Sequence, residues 1–235
     1  MLIDLHAHSA GISQCCKISG YDNMVLAKGL GIDGFVLTNH YQRQYLINDD
    51  INEFAARYIE EYKRVKELGE ELGFKIIFGI EVTMHKYNDT HMLIYGVDEG
   101  FVLKYPDMFD YTQEELYQLV KAANGIMVQP HPFRKGKNVL LDIKYLDGVE
   151  VNCHPKYLTT SFDEVYEVAQ SNKLILTCGG DFHNDTYRPT CGMILPDDIN
   201  DSFDLKNYLT NAEKLTLCIH EVNEEKYRIF EYEYN

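Results

Sequence analysis

The sequence predicts an α/β fold in which mainly parallel strands build a closed or nearly closed barrel. Three observations lead there. Short apolar runs alternate with helix-like stretches about six or seven times along 235 residues. Six of those runs end in or run straight into metal-competent side chains, spread from the start of the chain to beyond residue 180. An open doubly wound sheet feeds its site from strands at one switch point; in a β/α barrel the carboxyl ends of all strands converge on one face. Finally, no repeat, low-complexity tract or composition break divides the chain, so residues 1–235 are expected to form one barrel-sized domain.

The opening run, Leu2-Ile3-Asp4-Leu5, leads into His6-Ala7-His8. Residues two apart on an extended chain point to the same side, so His6 and His8 share a face. Two imidazoles at that spacing, closing an apolar strand, point to a shared metal. Asp4 lies on the same face and is placed to orient His6. A loop, Ala10 to Gly20, follows, long enough to fold over a strand end. Asp22 to Gly31 reads as a short helix with an acidic start and a glycine end. Asp33 to His40 is the second strand, ending in Thr38-Asn39-His40.

Asn48 to Gly69 carries apolar residues every three to four positions (Ile51, Phe54 or Ala55, Tyr58, Tyr62, Val65, Leu68), a helix whose stripe reads as core without chemistry. Phe74 to Ile80 is a strand ending in Glu81. His91 to Val97 is another, opening with its histidine, which reaches the same site if the chain doubles back as a hairpin through Asn88-Asp89. Thr112 to Asn124 is a helix opened by a capping box, Thr112 with Glu115. Ile126 to Pro130 leads into His131, and Arg134 follows three residues later; the loop Lys135-Gly136-Lys137 is basic. Gly148 to Asn152 runs into Cys153-His154. Ser161 to Asn172 is a helix with a second capping box, Ser161 with Glu164. Leu174 to Gly180 ends in Asp181-Phe182-His183. Strand, helix and strand follow at 191–195, 202–211 and 215–219, and the Glu- and Tyr-rich tail is expected to pack on the outside.

Composition excludes several classes. Hydrophobic residues make up 45% and charged residues 25%, an ordinary globular balance. No apolar run approaches the roughly 18 residues of a membrane span, and no secretory leader is visible, so a cytoplasmic protein is expected. A formal net charge of −15 argues against a nucleic-acid backbone as main partner. A small phosphorylated substrate remains compatible, because divalent cations would supply local positive charge. The six cysteines form no C-x-x-C pair, as expected of reduced thiols.

Taken in order, His6-x-His8, Thr38-Asn39-His40, Gly79-Ile80-Glu81-Val82, His91, Gln129-Pro130-His131-Pro132, Glu150-Val151-Asn152 and Gly180-Asp181-Phe182-His183 resemble the polymerase and histidinol phosphatase (PHP) family. The resemblance covers residues 2 to about 195. It implies a distorted (β/α)7 barrel with two or three divalent metal ions at the C-terminal ends of the strands, and mostly phosphoesterase activity by a metal-activated hydroxide. Carried over by position, His6, His8, Glu81 and Asp181 would bind one metal. Glu81 would bridge to a second held by His91 and His131, and His40 and His183 would hold a third. Zinc, manganese and iron all suit these ligands.

Asp181, His183 and Arg134 form the expected catalytic set; Arg134, with its planar fork, would hold the phosphate unless it is a surface arginine. Many family members place a His or Asp five to seven residues after the second histidine. Here Ser13, Gln14 and Cys15 stand there, a Ser-x-Cys form that resembles a small PHP subgroup. Cys15 reads either as a soft ligand or as a loop cysteine without a role. Asn152 is expected to line the pocket. His154 matches no ligand position; it reads as a solvated loop histidine or as a donor to a ligand or leaving group. Tyr41 and Tyr157 read as core or as flanks of an aromatic substrate, and the abundance of Tyr favours core.

The length fits the PHP unit alone, without a replicative polymerase. Nucleotides, sugar phosphates, histidinol phosphate, phosphotyrosine and polyphosphate ends all fit as substrates. The alternatives are hydrolysis of an amide or ring C–N bond, which barrels with His-x-His also serve, and a non-catalytic metal-binding module. The first usually needs a bridging lysine late in a strand, and no lysine stands in such a place.

Overall fold

The computed structural model describes all residues except 135–138, 155, 158, 185, 186, 223, 234 and 235. The basic loop Lys135-Gly136-Lys137 thus lies outside the described residues. In chain order the elements are β1 (Leu2–Ala7), α1 (Gly20–Gly29), β2 (Gly34–Leu37), β3 (His40–Tyr41), α2 (Ile51–Leu72), β4 (Lys75–Phe78), β5 (Ile80–Met84), β6 (Thr90–Tyr95) and α3 (Glu99–Lys104). Then come α4 (Gln113–Ala122), β7 (Ile126–Gln129), β8 (Gly148–Asn152), α5 (Phe162–Asn172), β9 (Ile175–Gly179), β10 (Gly192–Ile194), α6 (Ser202–Asn211), β11 (Leu215–Ile219) and β12 (Arg228–Tyr232). Among the described residues no helix is long and apolar enough to cross a membrane.

The strands form two six-stranded mixed sheets, ordered β12-β11-β10-β1-β2-β4 and β3-β5-β6-β7-β8-β9. The expected parallel pairs are present: β1 with β2, β2 with β4, β3 with β5, and β7 through β9. Two features add antiparallel pairing. The hairpin β5–β6 turns through Asn88 and Asp89, both at positive φ, as expected for short polar residues in the left-handed region. The C-terminal β10–β11–β12 meander pairs antiparallel with β1. The tail packs on the outside, as expected, and does so as a strand: Arg228–Tyr232 is the edge strand beside β11.

The two sheets touch along the chain. Only Gly79 separates β4 from β5, and its N–H donates to Leu37 O at 3.2 Å. Beyond β9, Phe182 pairs parallel with Ala7, and Asp181 N–H donates to His6 O at 2.8 Å. Both faces of β1 are buried, Ile3, Leu5 and Ala7 on one side and Asp4 and His6 on the other. Such two-sided burial is typical of a parallel strand covered by helices.

Helix ends differ from expectation at three places. Ser19, not the Asp22 region, caps α1 by accepting from Asp22 N. Helix α2 passes through Gly69 and stops at Gly73, whose φ of 59° is the left-handed C-terminal stop. Ser161 has φ 52° and makes no side-chain cap to α5, so the second capping box is not formed, whereas Thr112 and Glu115 form theirs reciprocally.

Candidate metal centre

The strand ends deliver eight ligand-type side chains to one place. His6 and His8 come from β1 and its exit, His40 from β3, Glu81 from β5, His91 from β6, His131 from the end of β7, and Asp181 and His183 from beyond β9. Glu81 is the hub. Its Oε2 lies 2.6 Å from His40 Nδ1 and 3.4 Å from His8 Nε2. Its Oε1 lies 2.8 Å from His91 Nδ1, 3.2 Å from His6 Nε2 and 3.5 Å from His131 Nε2. Asp181 Oδ1 lies 3.1 Å from His8 Nε2 and 3.5 Å from His6 Nε2.

His6, His8, Glu81 and Asp181 come together as one ligand-competent group, the same quartet the sequence resemblance implies. Two more groups are His40, Glu81 and His91, and His8, His40 and His183. His131 Nε2 lies 3.5 Å from Glu81 Oε1, and among the described residues the tight group around His91 also includes His40. A fourth group joins His154 to Asp181 and His183.

The donor chemistry fits a cation. His6 Nε2, His40 Nδ1, His91 Nδ1 and both oxygens of Glu81 are buried without a well-formed hydrogen bond. Buried polar atoms in native proteins are nearly always satisfied, and each orphan costs about 1–3 kcal/mol. Five such atoms turned on one another at contact distance, imidazole nitrogens and a carboxylate, form a donor set that a divalent ion would satisfy.

The electrostatics agree. Burial would push Glu81 up, but His40, His91 and His6 hold its carboxyl well below the usual range. Asp181 is likewise held low against burial by His6 and His183. Burial would push His6 down, but Glu150, Glu81 and Asp181 raise it well above the ordinary imidazole range. His40 is raised to about 10, because Glu81 and Cys15 outweigh burial. His8 and His131 go the other way, chiefly through burial, His131 to about 4.

A second layer holds these groups still. Glu150 of β8, fully buried, sits with Oε1 3.0 Å from His6 Nδ1, so it fixes that ring and leaves Nε2 facing Glu81. Asn152 bridges: its Nδ2 donates to Glu150 Oε2 at 2.9 Å and its Oδ1 accepts His154 N–H at 3.1 Å. Ser13 Oγ lies 3.2 Å from His8 Nδ1, accepts His40 N–H and donates to Asn39 Oδ1. Asn39 in turn donates to Ser9, and Ser9 Oγ donates to Glu61 at 2.6 Å. Helix α2 is thus more than a core stripe, because Glu61 ties it to the loop behind His8.

Asp4 acts on backbone, not on the imidazole. Its Oδ1 accepts the N–H groups of His6 and Gly180, and Oδ2 pairs with buried Arg188 at 2.9 Å. A Cβ at Gly180 would stand 2.7 Å from that Oδ2, so the turn into Asp181 needs glycine. Two ligand-type residues, His131 (φ 36°) and Asp181 (φ 49°), occupy the left-handed region. Such strain in non-glycine residues clusters at functional sites.

Sequence reasoning missed Ser13, Asn39, Glu61 and Arg188 as supports, and gave Glu150 no role beyond its motif. Only Glu150 left a signal, an ionisable residue inside an apolar strand at the same parity as Asn152.

Cys15 is an exposed residue whose thiol turns inward. Partial burial pushes the thiol up, but hydrogen bonds with His183 and His40 bring it down to about 5. His154 is buried, so the solvated reading fails. Its Nδ1 accepts Lys156 N–H at 3.0 Å, which puts the ring proton on Nε2. His183 has the opposite arrangement. Its Nδ1 lies 2.6 Å from the Asp181 carbonyl and carries the proton, leaving the Nε2 lone pair open. The His154 ring lies tilted against Tyr157 with centroids 4.6 Å apart, and the Arg134 guanidinium lies over the Tyr157 ring at 4.1 Å. Tyr41 is core, as expected, whereas half-buried Tyr157 lines a cavity with Asn152 and Arg134.

No family model and no curated protein matches the sequence. Solved structures do. A two-domain protein from Bacteroides vulgatus, containing a predicted PHP-like metal-dependent phosphoesterase, aligns with TM-score 0.57 at 15% identity, over 93% of this chain. The chain has a PHP-like fold. It spans 58% of that two-domain protein. PsfC from Pseudomonas syringae aligns with TM-score 0.56 at 15% identity, over 98% of this chain and 90% of its own. An amidohydrolase from Chromobacterium violaceum, with bound sulfate and no metal, aligns with TM-score 0.53 at 15% identity, over 89% of this chain and 97% of its own. What these share with this chain is the PHP-like fold.

Proposed function

We propose that the cluster is a di- or trinuclear centre for divalent zinc, manganese or iron, and that the protein is a metal-dependent phosphoesterase acting on a small phosphorylated substrate. The observation that carries this is the quartet His6, His8, Glu81 and Asp181 with its buried, unsatisfied donor atoms. His6, His8, Glu81 and Asp181 would hold one ion. Glu81 with His91 and His131 would hold a second, and His40, His183 and Cys15 would hold a third. When bound, such ions supply Lewis acidity, lowering the pKa of a water and neutralising phosphate charge.

The chain's own residues do the rest. Arg134 presents its fork to the phosphate. His154 donates its Nε2–H to a phosphate oxygen, and Asn152 fixes His154 from the backbone side. Asp181 orients the attacking water; in the dinuclear form, where His183 holds no ion, its Nε2 takes the proton of that water. Water adds at phosphorus, the P–O bond to the alcohol breaks, and the alcohol leaves with a proton.

The same reading takes residues 1–235 as one cytoplasmic domain with nucleic acid not a main partner. Its seven inner strands are taken to close as a distorted (β/α)7 barrel, supported by the Ala7–Phe182 bridge and the bond from Gly79 to Leu37. C–N hydrolysis is the second reading. The amidohydrolase among the fold neighbours favours it; among the described strands no lysine stands late in a strand, where the bridging one would be, and that weighs against it. A non-catalytic module ranks last, because the ligand set is nearly complete.

The test is phosphate release from monoesters and diesters by stripped protein reloaded with Mn²⁺, Fe²⁺ or Zn²⁺. Release should require metal and vanish in His131→Ala. Silence across the panel with metal bound would refute the proposal.

A further inference from the structure

Beside the histidine cluster lies a cavity of about 220 Å³ lined by His131, Asn152, Arg134, Tyr157, Lys156 and Thr159 among others. At about 30 Å³ per water molecule it has room for roughly seven waters, the size of a small organic group. Its charge is unusual for a chain of net charge −15. Among the described residues, the Arg and Lys ion pairs involve Arg43, Arg57, Arg64, Lys121, Arg188, Lys214 and Arg228. Among the described residues neither Arg134 nor Lys156 has an acidic partner.

The two cations are held differently. Arg134 rests its face on the Tyr157 ring at 4.1 Å, which leaves its N–H edge for a ligand. Lys156 is exposed, with its backbone N–H committed to His154. The wall beneath is anchored, since buried Thr160 donates to Glu221 at 2.5 Å. Thr159 Oγ1 accepts Ser161 N–H at 3.1 Å and keeps its own proton to donate.

One phosphate at the cluster engages Arg134 and leaves Lys156 surplus. We infer that the cavity is a leaving-group subsite for an alcohol bearing a second anion, phosphate or carboxylate, held by Lys156 and Thr159, with Tyr157 packing its carbon part. The substrate class is then the phosphomonoester of a small anionic alcohol. This inference rests on the phosphoesterase reading above.

The test compares kcat/KM of the metal-loaded protein on three esters with one three-carbon chain: propyl phosphate, 3-phosphooxypropanoate and propane-1,3-diyl bisphosphate. Wild type should favour at least one of the anionic alcohols over propyl phosphate by tenfold or more. Which of them is favoured tells carboxylate from phosphate. The preference should fall below threefold in Lys156→Gln and vanish or invert in Lys156→Glu. Equal turnover of all three by wild type, or a preference that survives Lys156→Glu, overturns the subsite and leaves the phosphoesterase reading standing. No release from any of the three with metal bound overturns both.

Discussion

Replacing Arg188 by Met tests the brace beneath the centre. Asp4 is fully buried and the Arg188 side chain is 2% exposed. Removing one partner of a buried ion pair costs about 3–5 kcal/mol. Two features reduce that loss. Asp4 Oδ1 keeps the N–H groups of His6 and Gly180. Among the described residues Arg188 Nε and Nη1 have no hydrogen-bond partner, so shedding these two buried donors offsets a minor part of the loss. Met retains contact with Phe182, which lies 4.6 Å beneath the guanidinium. The expected loss is about 2–4 kcal/mol at neutral pH.

The sign of its pH dependence follows from Asp4. Burial raises the Asp4 carboxyl and Arg188 pulls it back. Without Arg188 it rises further above its unfolded value. The deficit is then fully present above that raised pKa and shrinks as pH falls through it to the wild-type folded value, the unfolded carboxyl being common to both proteins. Urea unfolding at pH 7 and pH 5 measures both, and the double variant Asp4→Asn with Arg188→Met should recover much of the loss. A deficit below about 1 kcal/mol at pH 7, the scale of a surface pair, would refute the argument. So would one that does not shrink at pH 5.

Glu150→Gln keeps the shape of the His6 partner and removes its charge; metal affinity should fall about 10–100-fold, read by competition with a chelating dye. An affinity within twofold of wild type would deny Glu150 that role. His154→Gln retains an N–H donor whereas His154→Ala does not. Metal stoichiometry should be unchanged in both, with kcat/KM reduced about tenfold or more in Ala and partly restored in Gln; loss of an ion in either would make His154 a ligand. His6 and His40 are raised in the metal-free protein and thus protonated at neutral pH. Metal uptake must therefore release protons, and apparent affinity should rise with pH. A pH-indicator titration that shows no release would contradict those protonation states.

Much of the centre was legible because strands have period two and ligands sit where strands stop. His6 and His8 share a face of β1 for that reason, and Glu81 and His91 meet because β5 and β6 form the hairpin suggested by Asn88-Asp89. What stayed hidden depends on contacts across the chain. Glu150 reaches His6 over 144 residues, and Arg188 reaches Asp4 over 184. No local pattern encodes either pairing. His154 looked solvated because it matched no ligand position; it is buried, with Tyr157 and His183 packed against its ring. The Glu- and Tyr-rich tail hid a strand because its burial is one-sided, and Tyr232 alone is fully buried there.

The most direct test of the central claim is anomalous diffraction from crystals of protein reloaded with Mn²⁺ or Zn²⁺. The account predicts two or three peaks within the cluster, one within ligand distance of His6, His8, Glu81 and Asp181 together, and Glu81 shared between two of them. Metal bound only elsewhere, or no peak at the quartet despite saturating ion, would contradict it.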